Sequence, residues 1–394
     1  MSKIKVVITS GYRWESFQWF LLGFMMLDKA GQIDFEYDCS PYNKFYLQAG
    51  SKLNKLAGHF MRHHERDSYI MTGYIESGDG RRKRFCIDEA DAPYLYDATL
   101  LETCGTYFKM QYPIGIDQPA FSLTTDVMFP WSSYEHVDEH LTNLTDIGPR
   151  KQIDNFAQYR SKIQPLMVGP RRLAKACSWQ SLQKGYDHYL SARNLHKKRP
   201  IMCYFGNAQG PEPSVDVEKP DLRWEQDIMG YYGPRISHPN VKRARVAQYL
   251  RDIPGADARI ISQDHSDSGR GNSQSLVVPM REFCHHIANF AYNVNVSGYV
   301  MSMPSRFIES FLVGTAVLTD KLSVKWYKPF EAEVVETVPM GYMPMERVDW
   351  QQFQQDLQHL PQVDAEQVIQ AYEAKWAPDA VARYIIDTVV NARA

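Results

Sequence analysis

The stretch from Asn293 to Lys321, NVNVSGYVMSMPSRFIESFLVGTAVLTDK, constrains this chain most. It reads as strand, polar loop, short helix, glycine stop and strand. Pro304 lies just ahead of the helix, and Ser305 is placed to cap it. Phe307, Ile308, Phe311 and Leu312 form an apolar stripe; Arg306, Glu309 and Val313 fall on another, at i, i+3 and i+7. Gly314 ends the helix, and Thr315–Thr319 is the next strand. A β-α-β unit of this kind closes right-handed onto a parallel sheet, so an α/β fold is expected. A helix beginning beside parallel strand ends can hold phosphate and ribose, and a carboxylate one turn in can grip ribose hydroxyls. The plain structural alternative is an ordinary packing unit with a surface ion pair between Arg306 and Glu309.

The same alternation runs through the chain. Lys3–Thr9 reads as a buried strand, Trp14–Lys29 as an apolar helix ended by Gly31, and Ile33–Cys39 as a second strand. Tyr69–Glu76 and Arg82–Asp88 flank Gly78-Asp79-Gly80, a hairpin signal. Pro93–Ala98 and Thr106–Tyr112 read as further parallel strands, and Ile163–Val168 as the last of this half. Residues 170–198 are polar and helical in character and end in the charged break His196-Lys-Lys-Arg-Pro200. The second half restarts with the strand Ile201–Phe205, a Pro- and Gly-rich insertion over 208–238, a helix over Lys242–Asp252 and a strand over Ala258–Ser262. A polar loop over 263–275 and a helix over Pro279–Tyr292 precede the key unit. Asp349–His359, Asp364–Trp376 and Pro378–Ala392 read as helices, the last able to dock on either half. The expected organisation is an N-terminal Rossmann-like domain over 1–198, a second over 199–377 and a C-terminal helix over 378–394 that can cross back to the first domain. The length of 394 residues suits two domains better than one.

Composition excludes several classes. The formal net charge of −2 gives no bulk attraction to nucleic acid or anionic membrane. The six cysteines are scattered with no C-x-x-C pair, which argues against a zinc ribbon or disulfide framework and fits a reducing cytoplasm. The N-terminal MSKIKVVITSGYRWES lacks the apolar run of a signal peptide, and no window has the roughly 18 apolar residues of a spanning helix. A cytoplasmic protein, at most peripheral at the membrane face, is expected. No G-x-G-x-x-G follows the first strand, and no Walker lysine or G-x-S-x-G elbow occurs, which disfavours dehydrogenases, P-loop NTPases and α/β-hydrolases.

The pattern Ser302-x-Pro-x-Arg306-Phe-x-Glu309-x-x-x-x-Gly314-x-x-x-x-x-Asp320 resembles the donor-binding segment of GT-B glycosyltransferases. It is most similar to exostosin-like enzymes and those that assemble bacterial surface polysaccharides such as capsule and lipopolysaccharide. The resemblance covers about 290–330 well and the first 200 residues only in architecture. It implies two Rossmann-like domains facing each other across a cleft, the first holding the acceptor and the second the nucleotide-sugar donor. It further implies that Glu309 binds the donor ribose and Arg306 lies near the diphosphate. Ser302 and Ser305 supply nearby backbone amides. Arg270, Lys242, Arg243 and Lys109 are further basic candidates for the diphosphate, and Gly206 allows close backbone approach. No strict Asp-x-Asp occurs, which fits metal-independent transfer with no cofactor beyond the sugar nucleotide itself. An inverting transferase needs a base for the acceptor hydroxyl, and Glu15, Asp97 and Asp38 at first-domain strand ends are the candidates. Each can equally cap a helix or pair with a neighbouring arginine. The acceptor would be a glycan or a lipid-linked oligosaccharide.

Two other readings compete. A two-domain protein that binds a nucleotide or glycan without turnover would keep Glu309. His136-Val-Asp-Glu139-His140 also matches the H-x-x-E-H pattern of a zinc hydrolase, but proline, serine, asparagine and glycine on its flanks leave room for only a short helix.

Overall fold

The computed structural model describes residues 3–10, 14–37, 70–89, 96–117, 156–170, 173–193, 195, 201–207, 239–261, 280–297, 303–322, 324–340 and 348–392. The chain is mixed α/β, with two sheets rich in parallel pairs.

The first sheet is built from β1 (Ile4–Ser10), β2 (Ile33–Tyr37), β3 (Ile70–Glu76), β4 (Arg82–Asp88), β5 (Thr106–Lys109) and β7 (Ile163–Pro165). Its order is β2-β1-β3-β4-β5-β7. The β1/β2, β4/β5 and β5/β7 pairs are parallel, whereas β3 runs antiparallel to both β1 and β4. The expected hairpin accounts for that reversal: Gly80 takes φ 78° at its tip, a left-handed conformation that favours glycine. Helix α1 (Trp14–Lys29) connects β1 to β2. The strand expected over Pro93–Ala98 does not form in its described part. Asp97 Oδ1 instead accepts from Leu100 N at 2.9 Å and caps α2 (Ala98–Thr103). An N-cap carboxylate outweighs a short apolar run when the following residues favour a helix.

After β5 the chain makes the two-residue β6 (Tyr112–Pro113) and later α3 (Trp179–Leu190). The second sheet then comprises β8 (Met202–Asn207), β9 (Asp257–Ile261), β10 (Tyr292–Asn295), β11 (Ala316–Thr319) and β13 (Val334–Glu336), in the order β13-β11-β10-β8-β9 and wholly parallel. Between its strands lie α4 (Pro239–Arg251), α5 (Met280–Ile287) and α6 (Arg306–Leu312). The two-residue β12 (Val324–Lys325) pairs antiparallel with β6. Helices α7 (Trp350–Gln358), α8 (Ala365–Lys375) and α9 (Pro378–Asn391) close the chain. Asp349 and Asp364 cap α7 and α8, as their places just ahead of each helix suggest.

Helix α9 returns to the first sheet. Its buried face, with Val381, Ala382, Ile385, Ile386 and Val389, packs chiefly on α1 and also on β3, β4 and α8. Lys83 Nζ donates to the carbonyls of Val390 and Ala392 at 2.7 and 2.6 Å, satisfying groups that a helix end leaves open. Trp19 Nε1 donates to Trp376 O at 2.9 Å just ahead of α9. One continuous core therefore contains Val6 and Trp19 from the first sheet and its helix, Val294 and Phe307 from the second, and Ile385 from α9. Among the described residues, no helix is long and apolar enough to cross a membrane.

Candidate functional site

Sequence order reverses in the second sheet beside β8. β9 lies on one side of it, and the chain then returns to lay β10, β11 and β13 on the other. In an open parallel sheet such a reversal leaves a crevice at the strands' carboxyl ends, where ligands bind. Here that point lies between Phe205–Asn207 of β8 and Asn295–Ser297 at the end of β10.

Several of the expected residues converge there. Arg306, the first residue of α6, donates from Nη1 to Phe205 O at 3.0 Å. Arg243 on α4 feels the Arg306 charge: burial and then that repulsion hold its guanidinium below the ordinary arginine range, against the pull of Tyr204 and Asp320. Lys242, its neighbour, is 1% exposed and donates to Met340 O at 2.8 Å. Burial pushes its ammonium down to about 7, with Asp320 acting in the other direction. Asp320 follows β11 and is fully buried, accepting from Ser297 N at 3.1 Å and Ser297 Oγ at 2.6 Å. The Tyr204 hydroxyl, coupled to Arg243, Arg306 and Asp320, is buried and has no hydrogen-bond partner among the described residues. Arg306, Arg243 and the buried Asp320 thus interact near the crossover, and basic groups at such a place suit an anionic ligand. Gly206 lies in β8 beside the Phe205 carbonyl.

Glu309 stands one turn along α6. Every residue from Phe307 to Leu312 is buried, because α8 covers one side of this helix and α3 and α5 approach it from others. The surface ion pair that spacing alone allows is therefore not what forms. Burial pushes the Glu309 carboxyl up to about 7, moderated first by Arg306 and then by the Ser305 hydroxyl. Ser305 Oγ lies 3.4 Å from Glu309 Oε1 and makes no cap to the helix backbone, so the expected capping role is replaced by this contact. The Glu309 charge in turn helps raise the Tyr189 hydroxyl and the Cys284 thiol, both already raised by burial.

The first sheet contributes a second buried polar group at the ends of β4 and β5. Lys109 Nζ does not reach across to the crossover: it makes an ion pair with Asp88 Oδ2 at 2.8 Å, and Tyr107 Oη donates to the same oxygen at 2.6 Å. Glu89 follows at 3% exposure. Next along the chain from Lys109 and Met110, Gln111 makes two hydrogen bonds to Met303. Asp97 is committed to its helix cap. Glu15 lies in α1, but its side chain is outside the described residues, as are Asp38, Arg270, Ser302, His136, Glu139 and His140. Among the described residues there is no cluster of three or more metal-ligating side chains.

Sequence reasoning missed Asp88, Glu89, Tyr204 and the role of Asp320. The first two follow an apolar run, the same signal that singled out Asp38. Tyr204 is spaced like a core residue and becomes polar in function only through its neighbours. No family model matches the sequence, and no curated protein matches it significantly.

Proposed function

We propose that this protein is a glycosyltransferase of the GT-B kind, in which two Rossmann-like domains face each other across a cleft. It would move a sugar from a nucleotide donor to a hydroxyl of a glycan or lipid-linked oligosaccharide, as in the assembly of bacterial surface polysaccharide. The observation that carries this reading is the approach of Arg306 and Arg243 to each other at the crossover of the second sheet, where Arg306 reaches the end of β8. The cations balance the donor diphosphate, whose charge grows as the bond from the anomeric carbon to the phosphate oxygen breaks. Glu309 accepts hydrogen bonds from ribose hydroxyls. The acceptor oxygen forms the new bond to the anomeric carbon and gives its proton to a carboxylate of the first domain. Glu15 and Asp38 remain candidates for that base, and Glu89 joins them from the end of β4. No step requires a metal.

The test is a thermal-shift panel of nucleoside diphosphates and sugar nucleotides with the full chain. A ligand that binds only the folded state at a hundredfold excess over its Kd stabilises by about 2.7 kcal/mol, so one nucleotide should raise the melting temperature in a saturable way. No shift with any nucleotide at millimolar concentration rejects the reading. A second reading, binding without turnover, is favoured by the commitment of Asp97 to a cap and of Asp88 to Lys109. Slow hydrolysis of the stabilising sugar nucleotide separates transfer chemistry from binding alone.

A further inference from the structure

Gln111 and Met303 lie 192 residues apart and are bonded twice. Gln111 Nε2 donates to Met303 O at 2.9 Å, and Met303 N donates to Gln111 Oε1 at 3.0 Å. Both residues are 1% exposed. Of the neutral side chains, only a carboxamide of this length offers a donor and an acceptor in one plane, able to satisfy both backbone groups of one residue. Water cannot replace either bond at such burial, so each is costly to lose.

Gln111 is itself held firmly. Met110 N donates to Asp88 O at 3.1 Å, and Leu166 N donates to Lys109 O at 2.9 Å, so the preceding residues are tied into the first sheet. The next residues, Tyr112 and Pro113, pair with Lys325 and Val324. Residues 111–113 therefore hold the second half of the chain at two points, Met303 ahead of α6 and β12 after β11. Met303 stands three residues before Arg306, and the turn between them is already hydrogen-bonded from Phe307 N to Pro304 O and from Ile308 N to Ser305 O. A shift of Met303 must carry the start of α6 with it.

We infer that Gln111 is a positioning residue: by holding both backbone groups of Met303 it ties the first sheet to the start of α6 and fixes Arg306 at the strand crossover. Its value for ligand binding rests on the reading of Arg306 as a diphosphate contact, whereas the clasp itself does not.

Two readouts on the full chain keep these apart. Hydrogen exchange followed by mass spectrometry reports on the clasp. In Gln111→Leu, amides of 303–312 should exchange on the order of tenfold faster than in the unaltered protein, while those of β1 and β3 keep their rates. Gln111→Glu adds a check that a merely space-filling residue would not pass. Protonated, its carboxyl can donate to Met303 O and accept from Met303 N; ionised, it can only accept. Relative to the unaltered protein at the same pH, which carries the same neighbouring charged groups Asp88, Glu89, Lys109, Lys325, Arg306 and Glu309, protection of 303–312 should be near normal at pH 5 and lost at pH 8. Unchanged exchange in this segment for Gln111→Leu, or equal protection of Gln111→Glu at both pH values, overturns the inference. Titration with UDP, GDP, ADP and CDP then reads the consequence: the nucleotide that the unaltered chain binds should bind Gln111→Leu about tenfold more weakly. Unaltered affinity in that variant overturns the positioning of Arg306. If the unaltered chain binds none of these, nor any other nucleotide of the thermal-shift panel, while exchange responds as expected, the clasp stands and the glycosyltransferase reading falls.

Discussion

At the scale of single residues, Glu309 and Lys242 are two groups whose burial costs stability, and their costs fall in different pH ranges. The Glu309 carboxyl titrates near 7 in the folded chain against 4.5 ordinarily, so the folded state binds more protons between those values. Stability from this group is therefore undiminished below about 4.5 and falls as pH rises through 7, by roughly 3 kcal/mol in total. Glu309→Gln should remove that loss: urea midpoints should match the unaltered protein near pH 4.5 and exceed it at pH 8 by about 1–3 kcal/mol in stability. Lys242 has the opposite sign. Its ammonium titrates near 7 rather than 10.5, so the unfolded chain binds more protons between those values and stability rises with pH across that window. Lys242→Met should consequently stabilise most at pH 6 and least above pH 10, as measured by the same urea titrations. A carboxyl that weakens the fold at working pH is the kind of residue a ligand site retains. Glu309→Ala should accordingly weaken binding of the donor nucleotide by about 1–3 kcal/mol in a calorimetric titration. An unchanged affinity would leave Glu309 a packing residue.

At the scale of elements, the readable parts of the fold are those set by local chemistry. The unit containing β10, α6 and β11 was legible because Gly314, at φ 74°, stops the helix between two apolar strands. Arg306 was legible as a candidate because it opens a helix after a strand, and Lys242 and Arg243 because they lie near a helix start. What surrounds them was not. The burial of Glu309 depends on α3, α5 and α8, which arrive from three distant stretches, and the Gln111–Met303 bonds follow from no local pattern. The described end of the strand expected over Pro93–Ala98 is instead a helix start, because the Asp97 carboxylate caps it. The packing of α9 on α1 was open between two docking places in the sequence, and Gly23 shows how closely the chosen one fits. A Cβ there would fall well inside contact distance of Pro378 O and press on the Ala382 side chain. Gly23→Ala should therefore destabilise the protein by about 2–3 kcal/mol despite the better helix propensity of alanine, visible as a lower denaturant midpoint at unchanged slope.

At the scale of the whole molecule, the two sheets are held by shared structure rather than by a linker alone. Arg193, just beyond α3, donates from Nε to Leu312 O at 3.0 Å and from Nη1 to Glu373 at 2.6 Å, joining the end of α6 to α8. Trp19 of α1 meets Tyr186 of α3 and Tyr372 of α8 edge to face, with ring centroids 5.6 and 6.4 Å apart. Helix α9 then packs five buried aliphatic side chains, Val381, Ala382, Ile385, Ile386 and Val389, against α1 and the neighbouring β3, β4 and α8. The four larger ones each contribute about 1.5–3 kcal/mol by leaving water. A core continuous across both sheets has no place to divide on heating. Tryptophan fluorescence, which senses all eight tryptophans, Trp19 and Trp376 of the shared core among them, and far-ultraviolet dichroism, which senses both sheets, should therefore report the same melting midpoint in the full chain. Ending the chain after Ala377 removes α9, uncovers the α1 face and leaves Lys83 without its carbonyl partners. The shortened chain should lose the cooperative transition of the first sheet while the second keeps part of its dichroism. Two separate midpoints in the full chain would mean that the sheets fold independently, and an unaltered transition in the shortened chain would mean that α9 is an accessory to the fold.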